Sequence, residues 1–258
     1  MLGPLDLLVP PIVLVTSAVT FPYTLLILLL TGRLNTLVSW PKLKHTWFKH
    51  FWWWFGPASK PLFSADVRPL IAQARGVVLD IGPASGIWMR DLGDVAASGA
   101  VTKIYGVEPN ASFHPQLRSA AKKYGLEDVY QIVPVLVEDL EAYGIEKGSI
   151  DTIITVHVLC SVGPNAGKII GDLYEYLKPG GQWLVYEHVG SKHAAARMCQ
   201  RVCNPLWGKL LDGCHLCRDT ENWLKHAGRW ESIAVHPDVK DGYFESLPHI
   251  FGRLTKES

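Results

Sequence analysis

This chain is short of several things, and each shortage closes off a class of function. It has almost no net charge: 25 Lys and Arg against 24 Asp and Glu leave +1 at pH 7. No strong field therefore points to nucleic acid or to an acidic partner, and no basic stripe, finger spacing or other nucleic-acid motif is present. A disulfide framework is missing as well. The five cysteines are odd in number and follow no secreted pattern, so free thiols in a reducing compartment are expected. The basic opening of a signal peptide is lacking too, because Asp6 precedes the first apolar run, and no signal peptide is expected.

That apolar run, residues 7–30, lacks charge altogether. At 1.5 Å per residue its 24 positions can cross a hydrocarbon core of ~30 Å, and residues 1–32 are read as a membrane anchor. Pro10 and Pro11 suggest a helix that starts after them, and Pro22 suggests a kink or a re-entrant hairpin. Arg33, Lys42, Lys44, Lys49 and Lys60 all follow the run, which places the body of the protein on the cytosolic side. Residues 33–61 also hold half of the ten tryptophans, with Trp40, Trp47, Trp52, Trp53 and Trp54 interleaved with lysines. Such a segment suits a headgroup zone, or a lid packed on the body. Gly56–Pro61 reads as the hinge into a soluble domain at 62–258.

The organising stretch is Val77–Trp88, VVLDIGPASGIW. An apolar strand runs into Asp80, and a small-residue loop follows. Gly82 and Gly86 allow a tight turn and a close backbone approach to a ligand. The third glycine of a dinucleotide fingerprint would stand at position 87, which is Ile87, so a nicotinamide enzyme is disfavoured. The pattern D-x-G-x-A-x-G resembles motif I of class I S-adenosylmethionine-dependent methyltransferases, with Ala84 in place of the middle glycine. Lys103–Pro109 reads as a second strand ending in Glu108, where a carboxylate can accept hydrogen bonds from ribose hydroxyls. Further strands are expected at about 129–135, 151–158, 183–187, 230–236 and 250–255, with helices at about 115–124 and 166–177. The fold class is α/β: a doubly wound, seven-stranded, mostly parallel sheet that ends in an antiparallel hairpin, with a membrane-inserting helix in front.

The block L-K-P-G-G-x-W-L-V-Y-E-H-V at 177–189, V-L-C-S-V at Val158–Val162 and D-G-C at Asp212–Cys214 together resemble the methyltransferase-like 7 family. Arg197 with Gln200, Pro205 with Trp207, Arg218, and Pro248-His249-Ile250 extend the likeness to about residue 252. The resemblance implies a membrane-associated enzyme of the endoplasmic reticulum membrane or lipid droplets. It also implies methylation of small lipophilic thiols, with S-adenosyl-L-methionine consumed and S-adenosyl-L-homocysteine released. Asp80 stands where that family commonly has Glu, and His157 where it has an aliphatic residue.

The cofactor-binding set is then Asp80, Gly82, Pro83, Ala84 and Gly86 of the loop, Glu108, Pro109 and Asn110 at the second strand, Val137 and Glu138 beside the adenine, and His157. A thiol acceptor has to lose its proton, and with a reference pKa of ~8.5 it is only partly ionised at neutral pH. His157, at an unperturbed ~6.5, is the candidate base, and Glu187 a second one. Cys160, His188, Asp212 and Cys214 are candidates to line the acceptor site. The run Cys199, Cys203, Cys214 and Cys217 invites a zinc reading, but one helical turn separates the first two and packing accounts for them, so no metal is expected. Two other readings use the same features: methylation of a membrane lipid, phenol or amine, and a non-catalytic membrane or lipid-droplet protein that keeps the fold.

Overall fold

The computed structural model describes residues 3–258. Seven strands form one sheet: β1 (Gly76–Ile81), β2 (Val101–Val107), β3 (Tyr130–Val133), β4 (Ile150–Val156), β5 (Leu177–His188), β6 (Trp230–Pro237) and β7 (His249–Lys256). Their order across the sheet is β3-β2-β1-β4-β5-β7-β6. β1 to β5 run parallel, and β7 is antiparallel to both β5 and β6. The topology reverses between β1 and β4, which is where open sheets of this kind bind ligands.

Strand alternation divides the core between two faces. Leu79 and Ile81 of β1, with Trp183 and Val185 of β5, enter one apolar cluster together with α6 (Ala166–Tyr176). Val78 of β1, with Leu184 and Tyr186 of β5, enters the other, with α4 (Met89–Ala97) and α5 (His114–Lys123). Gly106 on β2 lies opposite Asp80, and a Cβ there would collide with the Tyr130 ring, so this glycine is what lets Tyr130 reach across the sheet.

Three helices precede the sheet: α1 (Val9–Leu30), the single turn α2 (Leu34–Leu37) and α3 (Trp40–Ile71). α1 starts at Val9, with Pro10 and Pro11 in its first turn, where a missing amide sacrifices no helical bond. The helix continues through Pro22. It is the one helix among the described residues long and apolar enough to cross a membrane. One stripe of α1 docks on the body. Ser17 donates to the Leu210 carbonyl at 3.0 Å, on α7 (Ala194–Leu210). The Trp47 indole donates to the Ser17 carbonyl at 2.9 Å and to the Thr20 hydroxyl at 3.0 Å. Val13, Phe51, Trp207 and Leu216 close this contact as a third apolar cluster.

The break expected at Gly56–Pro61 does not occur. α3 runs unbroken from Trp40 to Ile71 although Pro57, Pro61 and Pro69 lie within it. Each proline removes one amide from the helical ladder, so tertiary ties have to hold the segment. Asp91 of α4 supplies them: it pairs with Lys60 at 3.0 Å and with Arg68 at 3.0 Å, eight residues apart on α3. Lys60 also donates to the Ile87 carbonyl at 2.7 Å. The boundary expected at residue 61 thus falls inside one helix, whose first half carries the tryptophans and whose last turn, with Val67 and Ile71, is core.

Candidate active site

The chain leaves β1 through Gly82, Ala84 and Gly86, all at positive φ. Gly82 is obligatory: at φ +64° a Cβ would also collide with Val158 Cγ2. Ala84, at φ 50°, takes up strain that glycine would avoid. The loop borders a crevice lined by Trp52, Asp80, Gly82, Pro83, Ala84, Ile87 and His157 among others. Trp52 belongs to α3, so the tryptophan-rich helix contributes one side chain to the wall.

Two buried carboxyls support the loop. Tyr130 donates to Asp80 Oδ2 at 3.0 Å, yet burial pushes the Asp80 carboxyl up to about 7. Glu108 is also buried and raised to about 7, because burial outweighs the amides of Asn110 and Ala84 that donate to it at 2.8 and 2.9 Å. Asn110 also ties α3 to this edge through the His45 carbonyl at 3.2 Å, while Pro109 is exposed. In the 3-10 turn after β3, Val137 packs into the core, while Glu138 and the neighbouring Asp139 are exposed.

At the far end of the crevice His157 leaves β4 at φ 55°. Its ring sits 4.8 Å from Phe63, 5.2 Å from Tyr186 and 5.1 Å from His249 between centroids, and Nε2 has no hydrogen-bond partner among the described residues. Enclosure, with His188 adding to it, pushes His157 down to about 3. A ring that weakly basic takes no proton at neutral pH, which works against the base role expected for it. Glu187 is fully buried and raised to about 8; one oxygen accepts the Val158 amide at 3.1 Å and the other is unpartnered among the described residues. Held neutral at pH 7, it too is a poor base.

Cys160, His188 and Cys214 meet beside this end. The two sulfurs lie 3.1 Å apart, and His188 Nε2 is 3.2 Å from Cys214 Sγ. The Trp207 indole donates to Cys214 Sγ at 3.1 Å. Hydrogen bonding to Cys214 and burial raise Cys160; Cys214 is lowered, since donors from Cys160 and Trp207 outweigh its burial. Arg218 clamps the loop that carries Cys160 by donating to the Leu159 carbonyl at 2.9 Å and the Gly163 carbonyl at 2.6 Å. Asp212, in contrast, faces away from the cluster: it accepts from His45 Nδ1 at 3.1 Å and pairs with Lys44 at 3.5 Å. Burial would raise it, but those partners hold it low. It fastens α3 to the loop after α7.

The cysteine run read for zinc is not assembled. Cys199 donates to the Leu7 carbonyl at 3.2 Å, Cys217 is exposed, and Cys214 meets Cys160 instead. Sequence reasoning missed Trp52 as a crevice wall, Tyr130 as the partner of Asp80, and Arg218 as a clamp. Only Arg218 had a signal, as a position in the family resemblance.

A family model described as a methyltransferase domain matches residues 58–229. The human protein named Thiol S-methyltransferase TMT1B is 27% identical over 263 residues, covering 98% of this chain and 100% of its own. A solved structure titled as an O-methyltransferase family protein from Burkholderia thailandensis superposes with a TM-score of 0.60 at 13% identity, over 93% of this chain and 72% of that one. A structure titled as the S-adenosylmethionine-dependent methyltransferase SibL gives 0.56 at 16% identity, over 81% of this chain and 58% of that one.

Proposed function

This chain belongs to the methyltransferase-domain family, and from that premise we propose that it is a membrane-associated enzyme that S-methylates small lipophilic thiols with S-adenosyl-L-methionine. The observation that carries the reading is the crevice itself: the glycine loop, the buried Asp80 and His157 line it, Glu108 braces the loop, and the cysteine–histidine cluster packs beyond the His157 ring. The residues fit such a cofactor. The positive-φ loop leaves its backbone open to a ligand, Glu108 offers a buried carboxylate for ribose hydroxyls, and His157 lines the crevice. When bound, the cofactor supplies a sulfonium methyl group open to in-line attack. The chain's own work is alignment and exclusion of water. Trp52 of α3 walls the crevice on one side, and Asp91 pins that helix down through Lys60 and Arg68.

The thiol reading is supported by the relative that carries that name and by the placement of Cys160, His188 and Cys214 one ring beyond His157. Membrane association is supported by α1. Its inner stripe docks on the body, and its outer stripe of Ile12, Val15, Val19, Tyr23 and Leu26 is exposed. An exposed apolar stripe of this length, flanked by Trp40, Trp53 and Trp54, suits burial in a bilayer surface. On this reading the body faces the cytosol and the anchor lies in the endoplasmic reticulum membrane or a lipid droplet. The test is transfer of labelled methyl from S-adenosyl-L-methionine to a panel of alkyl thiols, phenols, amines and lipids by the full chain in detergent. Label on thiols supports the reading. Label on lipids or amines alone moves the function to that acceptor class.

A further inference from the structure

We infer that Cys160, His188 and Cys214 form a zinc site whose fourth position is filled by the acceptor thiol. The three residues come from three separate elements: the loop after β4, the end of β5 and the loop after α7. One donor atom from each lies within 4.8 Å of the other two. The approach is not a by-product of neighbouring sequence, because the His215 amide donates to the Cys160 carbonyl at 3.0 Å and fastens the two loops together.

The imidazole is the strongest part of the argument. His188 is buried, its Nδ1 has no partner among the described residues, and its Nε2 points at a sulfur. A single thiol contact is a weak partner for a buried Nε2, and a metal on that nitrogen would replace it with a strong bond while leaving Nδ1 as it is. Two thiolates and one imidazole are a soft donor set that suits zinc. With Zn–S bonds of ~2.3 Å, tetrahedral sulfurs sit about 3.8 Å apart, so the pair has to open by about 0.7 Å from its 3.1 Å separation. The Trp207 indole on Cys214 and the Ser161 hydroxyl 3.4 Å from Cys160 are the donors that commonly support zinc-bound thiolates.

Charge sets the fourth ligand. Two thiolates neutralise Zn²⁺, and the buried Arg218 guanidinium, which holds the Cys160 loop through the Leu159 and Gly163 carbonyls, adds a positive charge nearby that favours an anionic fourth ligand. Three protein donors with a free position are the arrangement of a working zinc rather than a structural one. An alkyl thiol entering there breaks its S–H bond, forms a Zn–S bond and gives its proton to water. A thioether carries no charge and is a weaker ligand, so a methylated product leaves.

This inference rests on the thiol reading only for the identity of the fourth ligand. The test uses the full chain in detergent, loaded with Co²⁺ in place of zinc. We expect one Co²⁺ per chain, the intense visible bands of a tetrahedral site, and a thiolate-to-cobalt charge-transfer band. Propanethiol should raise that band, while propyl methyl sulfide leaves it unchanged. Cys160→Ser and His188→Gln should each lower metal affinity at least tenfold, with folding checked by thermal melting and S-adenosyl-L-methionine binding. Stoichiometries near zero in the folded wild-type chain overturn the site, as does a Cys160–Cys214 disulfide in anaerobically purified protein, or uptake that neither variant alters. If the metal-free chain methylates thiols at the full rate, the zinc inference falls and the thiol reading stands. If cobalt binds as described and no thiol is methylated, the metal site stands and the thiol reading falls.

Discussion

The backbone amide of Ala84 donates to Glu108 Oε2 at 2.9 Å, so the loop after β1 and the end of β2 are held as one unit. The same carboxylate takes the Asn110 amide on its other oxygen. Glu108 is therefore a brace for the loop, and in the proposed function the same carboxylate is the one offered to a ribose.

That double role gives a pH-dependent affinity. Glu108 titrates near 7 in the free chain because burial outweighs its two amide donors. Ribose hydroxyls donate more strongly to the ionised form, so binding of S-adenosyl-L-methionine should weaken as pH falls from 8 to 6, by at most tenfold per unit. Glu108→Gln should bind at least tenfold more weakly at pH 8, about 1.4 kcal/mol, and show a flatter pH dependence. Calorimetry across this range decides it, and unchanged affinity in the variant would remove the ribose role.

Stability of the free chain should run the opposite way to cofactor affinity. Asp80 is raised from 3.8 to about 7 and Glu108 from 4.5 to about 7. An acid with a raised folded pKa lends stability that is fully present below its unfolded value and is lost as pH rises through the folded one. Thermal melting of the cofactor-free chain should therefore fall between pH 4.5 and 8. Asp80→Asn keeps an acceptor for Tyr130 and removes one titration, so it should melt higher than wild type at pH 8 and respond less to pH. A variant that tracks wild type at every pH would show that Asp80 is ionised at no cost.

The position of His157 predicts a null result in one measurement and a loss in another. With its ring pushed down to about 3, it is neutral across pH 5 to 9. His157→Gln should leave the shape of the turnover–pH profile unaltered over that range while weakening cofactor binding, because the ring lines the crevice. A lost acidic limb in the variant would restore the base role.

Much of the parallel sheet was legible because its strands are local patterns: VVLDI, KIYGVEP and DTIITV are apolar runs ended by a turn signal or a polar residue. β5 was read six residues short at its start because Lys178-Pro179-Gly180-Gly181 has turn composition, yet Leu177 already pairs with Ile150 before the register shifts. The helix through Gly56–Pro61 was illegible for a different reason. Prolines and a glycine argue locally for a break, and what overrides them is Asp91, thirty residues away on another helix. The Cys160–Cys214 contact is of the same kind, joining residues 54 apart through the Arg218 clamp and the His215 amide. Motif spacing locates the loop and its acids. It does not locate partners assembled by tertiary packing.

The two faces of α1 allow one chemical change to be read in two ways. Val15 and Val19 point outward at 62% and 69% exposure, whereas Ser17 between them is fully buried against the Leu210 carbonyl and beneath Trp47. Lysine at both valines should reduce binding to phospholipid vesicles at least tenfold, since each valine taken from lipid forfeits roughly 1.5 to 3 kcal/mol, and melting should be unchanged. Ser17→Lys should do the reverse in kind, because a charge forced into the α1–α3–α7 contact has no partner and lowers the melting temperature. Flotation and thermal melting on the same samples separate the two effects. If α1 instead left the body and crossed the bilayer alone, both faces would meet lipid. Val15, Val19 and Ser17 variants would then all lose membrane binding and keep the fold, and the docked arrangement would be wrong.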